Sequence, residues 1–297
     1  MELRQLKYFL KAKELLNFTE AARELYITQS TLSQQIKQLE DELGIPLFDR
    51  IGKRVSITEA GELFATYAEK SIQASNDGKL ILDDLKQVNT GTLSIGLTWG
   101  LKSIVINAFK NFIEQFPKIK LQVTFGTTTE LIEALLKQEI DFALTFYEDK
   151  HRDELIHEPI MSSAMAVIVS AHSPLATKKS MNFNEVEKLT LALPVKGFNT
   201  RDFLDRQFEK HKVKPNIAVE VNYTATIVDL VRTGAFETIL TLATVHGEKD
   251  LCAIPIRGTN MKREAVTLRL KDSYQKKAAI YFIDLLKAED TEEYNQL

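Results

Sequence analysis

The chain is poor in the residues that mark several protein classes. Its 297 residues include one cysteine, Cys252, one tryptophan, and no apolar run near the roughly 20 residues that a bilayer-spanning helix needs. A lone thiol forms no internal disulfide and fits a reducing compartment. The opening MELRQLKYFL has neither an apolar signal core nor a small-residue cleavage site. Together these features predict a cytoplasmic protein with no membrane partner. Charge of one sign is lacking as well. The net charge is −3, from 38 basic and 41 acidic side chains, so bulk electrostatics do not advertise a nucleic-acid partner. Catalytic signatures are missing too. There is no G-x-S-x-G elbow and no G-x-G-x-x-G fingerprint, and His151, His157, His172, His211 and His246 show no metal-ligand spacing. The stretch LTWGLKS miscounts a Walker A loop between its glycines and again before Lys102. The expectation is a protein without enzymatic activity, metal or cofactor.

What is present is an ordinary globular composition, 44% hydrophobic and 27% charged, long enough for two or three modules. A helix is predicted from about Glu2 to Leu16, with Leu3, Leu6, Phe9 and Leu10 on one face. Thr19 is a candidate N-cap for a short second helix through Leu25. LYIT is then a tight turn, Thr28 caps a third helix, and Gly44 with Pro46 ends it. Two helices so closely joined form a helix-turn-helix candidate. LFDRIGKRVSIT reads as a strand, a turn and a returning strand, which makes the motif winged.

The third helix carries an apolar stripe of Leu32, Ile36, Leu39 and Leu43. Its other side begins with Thr28, Gln29, Ser30, Thr31, Ser33 and Gln34, followed by Lys37. Neutral amides and hydroxyls match the donors, acceptors and methyls of a major groove, and they lie at the helix end that enters it. The bland alternative is a solvated polar face. Glu40, Asp41 and Glu42 sit at the far end, away from phosphates. Arg50, Lys53 and Arg54 around the wing are candidate phosphate contacts, which position without specifying sequence.

Residues 1–58 thus form a winged DNA-binding domain, and a long helix over 59–89 follows. In that helix Ala60, Phe64, Tyr67, Ser71, Ala74, Gly78, Ile81, Leu85 and Val88 make a heptad-like seam that predicts helix–helix dimerisation. From residue 90 strands and helices alternate, so 90–297 is read as a mainly parallel α/β domain of two lobes. Lobe I takes about 90–161 and 266–297, and lobe II about 162–265.

FTEAARELYITQSTLSQQIKQLEDELGIPLFDR, followed by VSITEAG, resembles the signature of LysR-type transcriptional regulators, and the same order of modules extends over nearly the whole chain. Ser30 stands where many members have proline. The resemblance implies a mixed α and α/β fold: an N-terminal winged helix-turn-helix, a dimerisation helix and a two-lobed, periplasmic-binding-protein-like effector domain. It also implies a double-stranded DNA operator, a small-molecule effector, RNA polymerase as a partner at the promoter, and a homodimer or homotetramer. FNTRDFLDRQFEKHKVKPNIAVEVN resembles the cyanate-operon activator branch of the family, which points to a small anion or small carboxylate as effector.

Ligands of open parallel sheets sit beyond the carboxyl ends of the strands, where helix N-termini favour anions. That rule gathers Thr98, Trp99 and Gly100 after the first strand, Thr127 and Thr128 after the second, and Phe146 after the third. From the other lobe come Asn199, Thr200 and Arg201, with Asn199 or Thr200 as a helix cap. Arg201 either offers a fixed charge or pairs with Asp202 or Asp205. The rival readings are an enzyme built on the α/β domain, a cytoplasmic small-molecule-binding protein and a solute carrier.

Overall fold

The computed structural model describes residues 1–51, 54–85, 90–148, 152–258 and 260–288, without the side chains at 50, 51, 54 and 83–85. The chain divides into two compact units, Met1–Gln87 and Val88–Leu297.

The first unit contains α1 (Leu3–Leu15), α2 (Phe18–Glu24), α3 (Gln29–Leu43), the hairpin β1 (Phe48–Ile51) and β2 (Arg54–Ile57), and α4 (Glu59–Leu85). Its core joins Leu6, Phe9 and Ala12 of α1 to Ala21 and Ala22 of α2 and to Leu32, Ile36 and Leu39 of α3. Phe48 closes one side, its ring 5.6 Å from Phe9 and 5.3 Å from Phe18. The cap of α2 differs from the expected Thr19. Leu16 turns left-handed at φ 45°, which ends α1. Asn17 Oδ1 then accepts from the N–H groups of Thr19 (3.0 Å) and Glu20 (3.2 Å), so the helix begins in time to bury Phe18. Two outer positions of the predicted stripes also differ. Leu3 is 44% and Leu43 36% exposed, because each lies beyond the reach of this small core.

Thr28 caps α3 as expected, accepting from Thr31 N–H at 3.1 Å, and Gly44 ends it at φ 69°. In α4 the first turns pack inside this unit. Gly61, Ala65 and Ala68 are buried and Phe64 lies 5.3 Å from Phe9, so that part of the predicted seam is occupied by the domain's own core. Tyr67, Ser71, Ala74, Gly78 and Ile81 remain exposed, while Val88 and the Leu85 side chain lie outside the described residues.

The second unit begins with β3 (Gly91–Leu97), α5 (Val105–Gln115), β4 (Ile119–Phe125), α6 (Thr128–Leu136), β5 (Phe142–Phe146) and β6 (Leu155–Ser170). It continues with α7 (Phe183–Val186), β7 (Thr190–Pro194), α8 (Asn199–His211), β8 (Asn216–Val221), α9 (Thr224–Arg232) and β9 (Thr238–Thr241). It closes with α10 (Leu242–Val245), β10 (Leu251–Pro255), β11 (Lys262–Leu270) and α11 (Lys277–Ala288).

Two lobes follow from two sets of cores. In lobe I, β3 pairs parallel with β4 and β5, and α5 and α11 cover the sheet through Phe112 and Phe282. In lobe II, β7 and β8 pair parallel, and Phe183, Leu204 and Phe208 pack beneath them. The late strand β11 and helix α11 return to lobe I, with β11 antiparallel to β5. The long β6 serves both lobes: its first half pairs with β11, and its second half with β9 and β10. The expected lobe boundary at about residue 161 falls inside this one strand, which runs through Pro159 at a bulge, where the register shifts between Ala265 and Val266. A residue without an N–H is tolerated in a sheet at such a site.

Candidate DNA-reading face and effector cleft

The two sides of α3 differ as the sequence reading expected over most of its length. Leu32, Ile36 and Leu39 are fully buried, whereas Gln29, Ser30, Thr31, Gln34 and Lys37 are exposed and Ser33 is half-buried. The exposed hydroxyls and amides are linked to one another. Thr28 Oγ1 lies 2.9 Å from Ser30 Oγ and 2.8 Å from Thr31 Oγ1, and Gln29 Nε2 donates to Ser33 Oγ at 2.9 Å. A row of neutral polar groups held in register suits base edges. Among the wing residues, Lys53 and the side chains of Arg50 and Arg54 lie outside the described residues; the strands that carry the two arginines pair Arg50 with Val55 and Ile51 with Arg54. The sequence reading missed Glu40. It is not an idle distal acid, because its Oε1 accepts from the backbone N–H of Leu47 and Phe48 and so ties α3 to the wing.

In the second unit a partly open cleft lies between the lobes. Thr98, Trp99, Gly100, Thr127, Thr128, Phe146, Asn199 and Thr200 all line it. Gly126, Thr145, Pro194, Phe198, Thr224, Leu240 and Thr244 complete the wall and were not anticipated. Their one available signal was position: Thr145 and Leu240 lie within strands, and Thr224 opens a helix. The wall is mostly hydroxyls and rings, with no ionised side chain among its lining residues.

The lining is only partly self-satisfied. Thr128 Oγ1 meets Thr145 Oγ1 at 2.8 Å, and Thr244 Oγ1 donates to Gly100 O at 3.2 Å. Thr98 Oγ1 is screened from solvent with no hydrogen-bond partner among the described residues. At α6, Thr127 is the cap, and its own N–H donates to Glu130 Oε2 at 2.7 Å, so an acid already occupies that helix start. The start of α8 differs from expectation, since the cap is Phe198, whose side chain accepts nothing. Asn199 instead reaches across the cleft, its Nδ2 donating to Phe146 O at 2.6 Å.

Arg201 takes the second of its two expected roles, pairing with Asp205, and its place among the cleft residues is corrected. Its side chain is buried away from the cleft wall, donating to Asp205 Oδ1 at 2.8 Å and Pro194 O at 2.9 Å and pairing with Glu220. Burial alone would lower its pKa, but Glu220 and Asp205 outweigh burial and hold it above the usual arginine value. The buried cation beside the cleft is Arg263, which the sequence reading passed over. Its guanidinium carbon lies 5.0 Å from the Phe146 ring and 4.7 Å from the Phe203 ring, and it bonds Asn199 Oδ1. Burial pushes its pKa down to about 10, against the opposing pull of Glu148 at 2.7 Å.

A winged helix-turn-helix with a polar recognition face, and a separate two-lobed α/β unit with a hydroxyl-lined cleft, together define a ligand-responsive DNA-binding regulator. Residues 3–62 match the family described as bacterial regulatory helix-turn-helix protein, lysR family, and residues 86–291 match the LysR substrate binding domain. The chain therefore belongs to the LysR family of DNA-binding transcriptional regulators, with a substrate-binding effector domain. The regulator CysB of Haemophilus influenzae is 32% identical over 236 residues, covering 78% of this chain and 72% of that protein. Among solved structures, a full-length OxyR variant from Pseudomonas aeruginosa is similar at TM-score 0.71 and 20% identity, covering 98% of this chain and 96% of that one. Full-length CbnR complexed with its target DNA is similar at TM-score 0.61 and 22% identity, covering 97% and 99%.

Proposed function

We propose that this regulator reads its operator through Gln29, Ser30, Thr31, Ser33 and Gln34 and holds phosphates through Lys37, Arg50, Lys53 and Arg54. The observation that carries the reading is the division of α3, with three fully buried aliphatic side chains on one face and hydroxyls and amides on the other. The charge balance of residues 1–60 is compatible with this, because Glu40, Asp41 and Glu42 lie at the far end of α3 and other acids are held in ion pairs, Glu14 with Lys11 and Glu20 with Arg23, each at 2.6 Å. The seam from Tyr67 to Ile81 serves dimerisation, and dimers pair further into a homotetramer that acts at the promoter with RNA polymerase. The module boundaries are those at residues 58, 89, 161 and 265. The chain works in the cytoplasm and catalyses no reaction.

The effector is a small anion or carboxylate held between the lobes by Thr98, Trp99, Gly100, Thr127, Thr128, Phe146, Asn199 and Thr200. An effector that prefers one lobe arrangement shifts the population towards it, typically by about 1–3 kcal/mol, and changes how far the operator must bend.

The test compares binding of the DNA upstream of the protein's own gene with a random duplex at near-cellular salt. The reading expects a clear preference for the upstream DNA; equal affinity would refute it.

A further inference from the structure

The two lobes meet through two sets of contacts. In one, Thr244 Oγ1 donates to Gly100 O, Ser103 Oγ donates to Ala243 O, and Lys102 stands 3.8 Å from Glu248. The other converges on Arg263. Its side chain has no exposed surface, unusual for a residue so costly to bury. Phe146 and Glu148, at the end of β5, belong to lobe I. Asn199, Phe203 and Arg206, on α8, belong to lobe II. Arg263 lies between the two Phe rings, pairs with Glu148 and bonds Asn199, while Glu148 also pairs with Arg206. Its strand position faces Ser163 on the crossover strand β6, two residues before the bulge at Ala265.

We propose that Arg263 is a positioning residue that couples occupancy of the cleft to the arrangement of the lobes. The argument is one of shared contacts. Phe146 and Asn199 both line the cleft and both touch Arg263, so an occupant that moves either one must remake the clasp. Face-on contact with a ring and planar bonding to an amide are both directional. A small shift at either wall therefore exchanges one set of contacts for another. Nη1 of Arg263 has no hydrogen-bond partner among the described residues, so the guanidinium has a donor to offer a second arrangement. The inference concerns the seam and does not require the cleft to take an anion. Failure of small carboxylates to bind would count against the effector assignment alone.

Trp99, the chain's one tryptophan, reports on the cleft, because it lines the wall and its ring centroid lies 5.6 Å from that of Phe198 of lobe II. The experiment uses the full-length protein with no ligand added. Arg263→Met should shift Trp99 emission to the red and increase its quenching by acrylamide, with far-UV circular dichroism unchanged. Arg263→Lys keeps the charge but loses the planar clasp, and Phe203→Leu removes one of its faces. Both should move emission and quenching in the same direction, and they carry the test if the methionine variant does not fold. A lower melting midpoint with wild-type emission and quenching in the folded variants would overturn the proposal, because Arg263 would then only stabilise.

Discussion

Glu40 on α3 holds the backbone of Phe48 at the base of the wing, its Oε1 accepting from the N–H of Phe48 at 3.0 Å and from that of Leu47 at 2.8 Å. One carboxylate thereby ties α3, to which base reading is proposed, to the hairpin proposed to meet phosphates. Glu40→Ala leaves two partly buried amides without their acceptor and should destabilise the first unit by about 1–3 kcal/mol. Operator affinity should fall with it, and Glu40→Gln should lie between the two. Denaturation and operator titration on the same preparations check this.

Gly61 and Gly78 are expected to respond oppositely. A Cβ at 61 would stand 2.4 Å from Leu47 O and 2.6 Å from Ile57 Cγ1, so Gly61→Ala should lower stability by about 1–3 kcal/mol. A Cβ at 78 meets nothing within 4 Å, so Gly78→Ala should gain about 0.5–1 kcal/mol of helix stability. If the exposed seam of α4 packs against a second copy, the same substitution should weaken the dimer, which sedimentation measures.

At Gly100 a Cβ would lie 3.1 Å from Thr244 Oγ1 and 3.5 Å from the Phe146 ring. Gly100→Leu should fill the cleft and abolish the response to effector while basal operator binding persists. Thr128→Val and Thr200→Val should weaken effector binding without displacing the lobes. Calorimetry with small carboxylates checks all three; unchanged affinity in both valine variants would remove those threonines from the site.

Glu158 joins β6 to β11 and α11 through Arg269 and Lys287, each at 2.9 Å. Hydrogen bonds from Arg269 and then Lys287 hold its pKa below the usual carboxylate value. A depressed folded pKa contributes stability that is present above the unfolded value and lost as pH falls through the folded one. Glu158→Gln should therefore cost stability at neutral pH, about 1 kcal/mol or less for so solvated a pair. The difference from wild type should vanish in acid, and melting across pH 3–7 would show it.

Local chemistry made much of this molecule legible. Apolar spacing located α3 and its buried face, and Thr28 and Gly44 marked its ends. The cleft residues were found because strand ends and helix starts in parallel α/β units have only one place to converge. What escaped notice depended on distant partners. Asn17 won the cap of α2 because Phe18 must reach the core. The Glu220 partner of Arg201 and the whole setting of Arg263 escaped notice for the same reason. Nothing in GFNTRD shows that Glu220 waits on the next strand, and nothing near Arg263 shows two phenylalanines closing over it.

The most direct measurement of the central claim is operator selection by α3 variants. Wild type, Gln29→Ala, Gln34→Ala and Lys37→Ala would be titrated, over a range of salt, against the operator and single-base variants of it. The glutamine variants should lose about 1–3 kcal/mol of discrimination at one base position. Lys37→Ala should weaken every sequence alike and reduce the salt slope by about one. Base preferences that survive both glutamine substitutions would contradict the assignment of α3 as the reader of sequence.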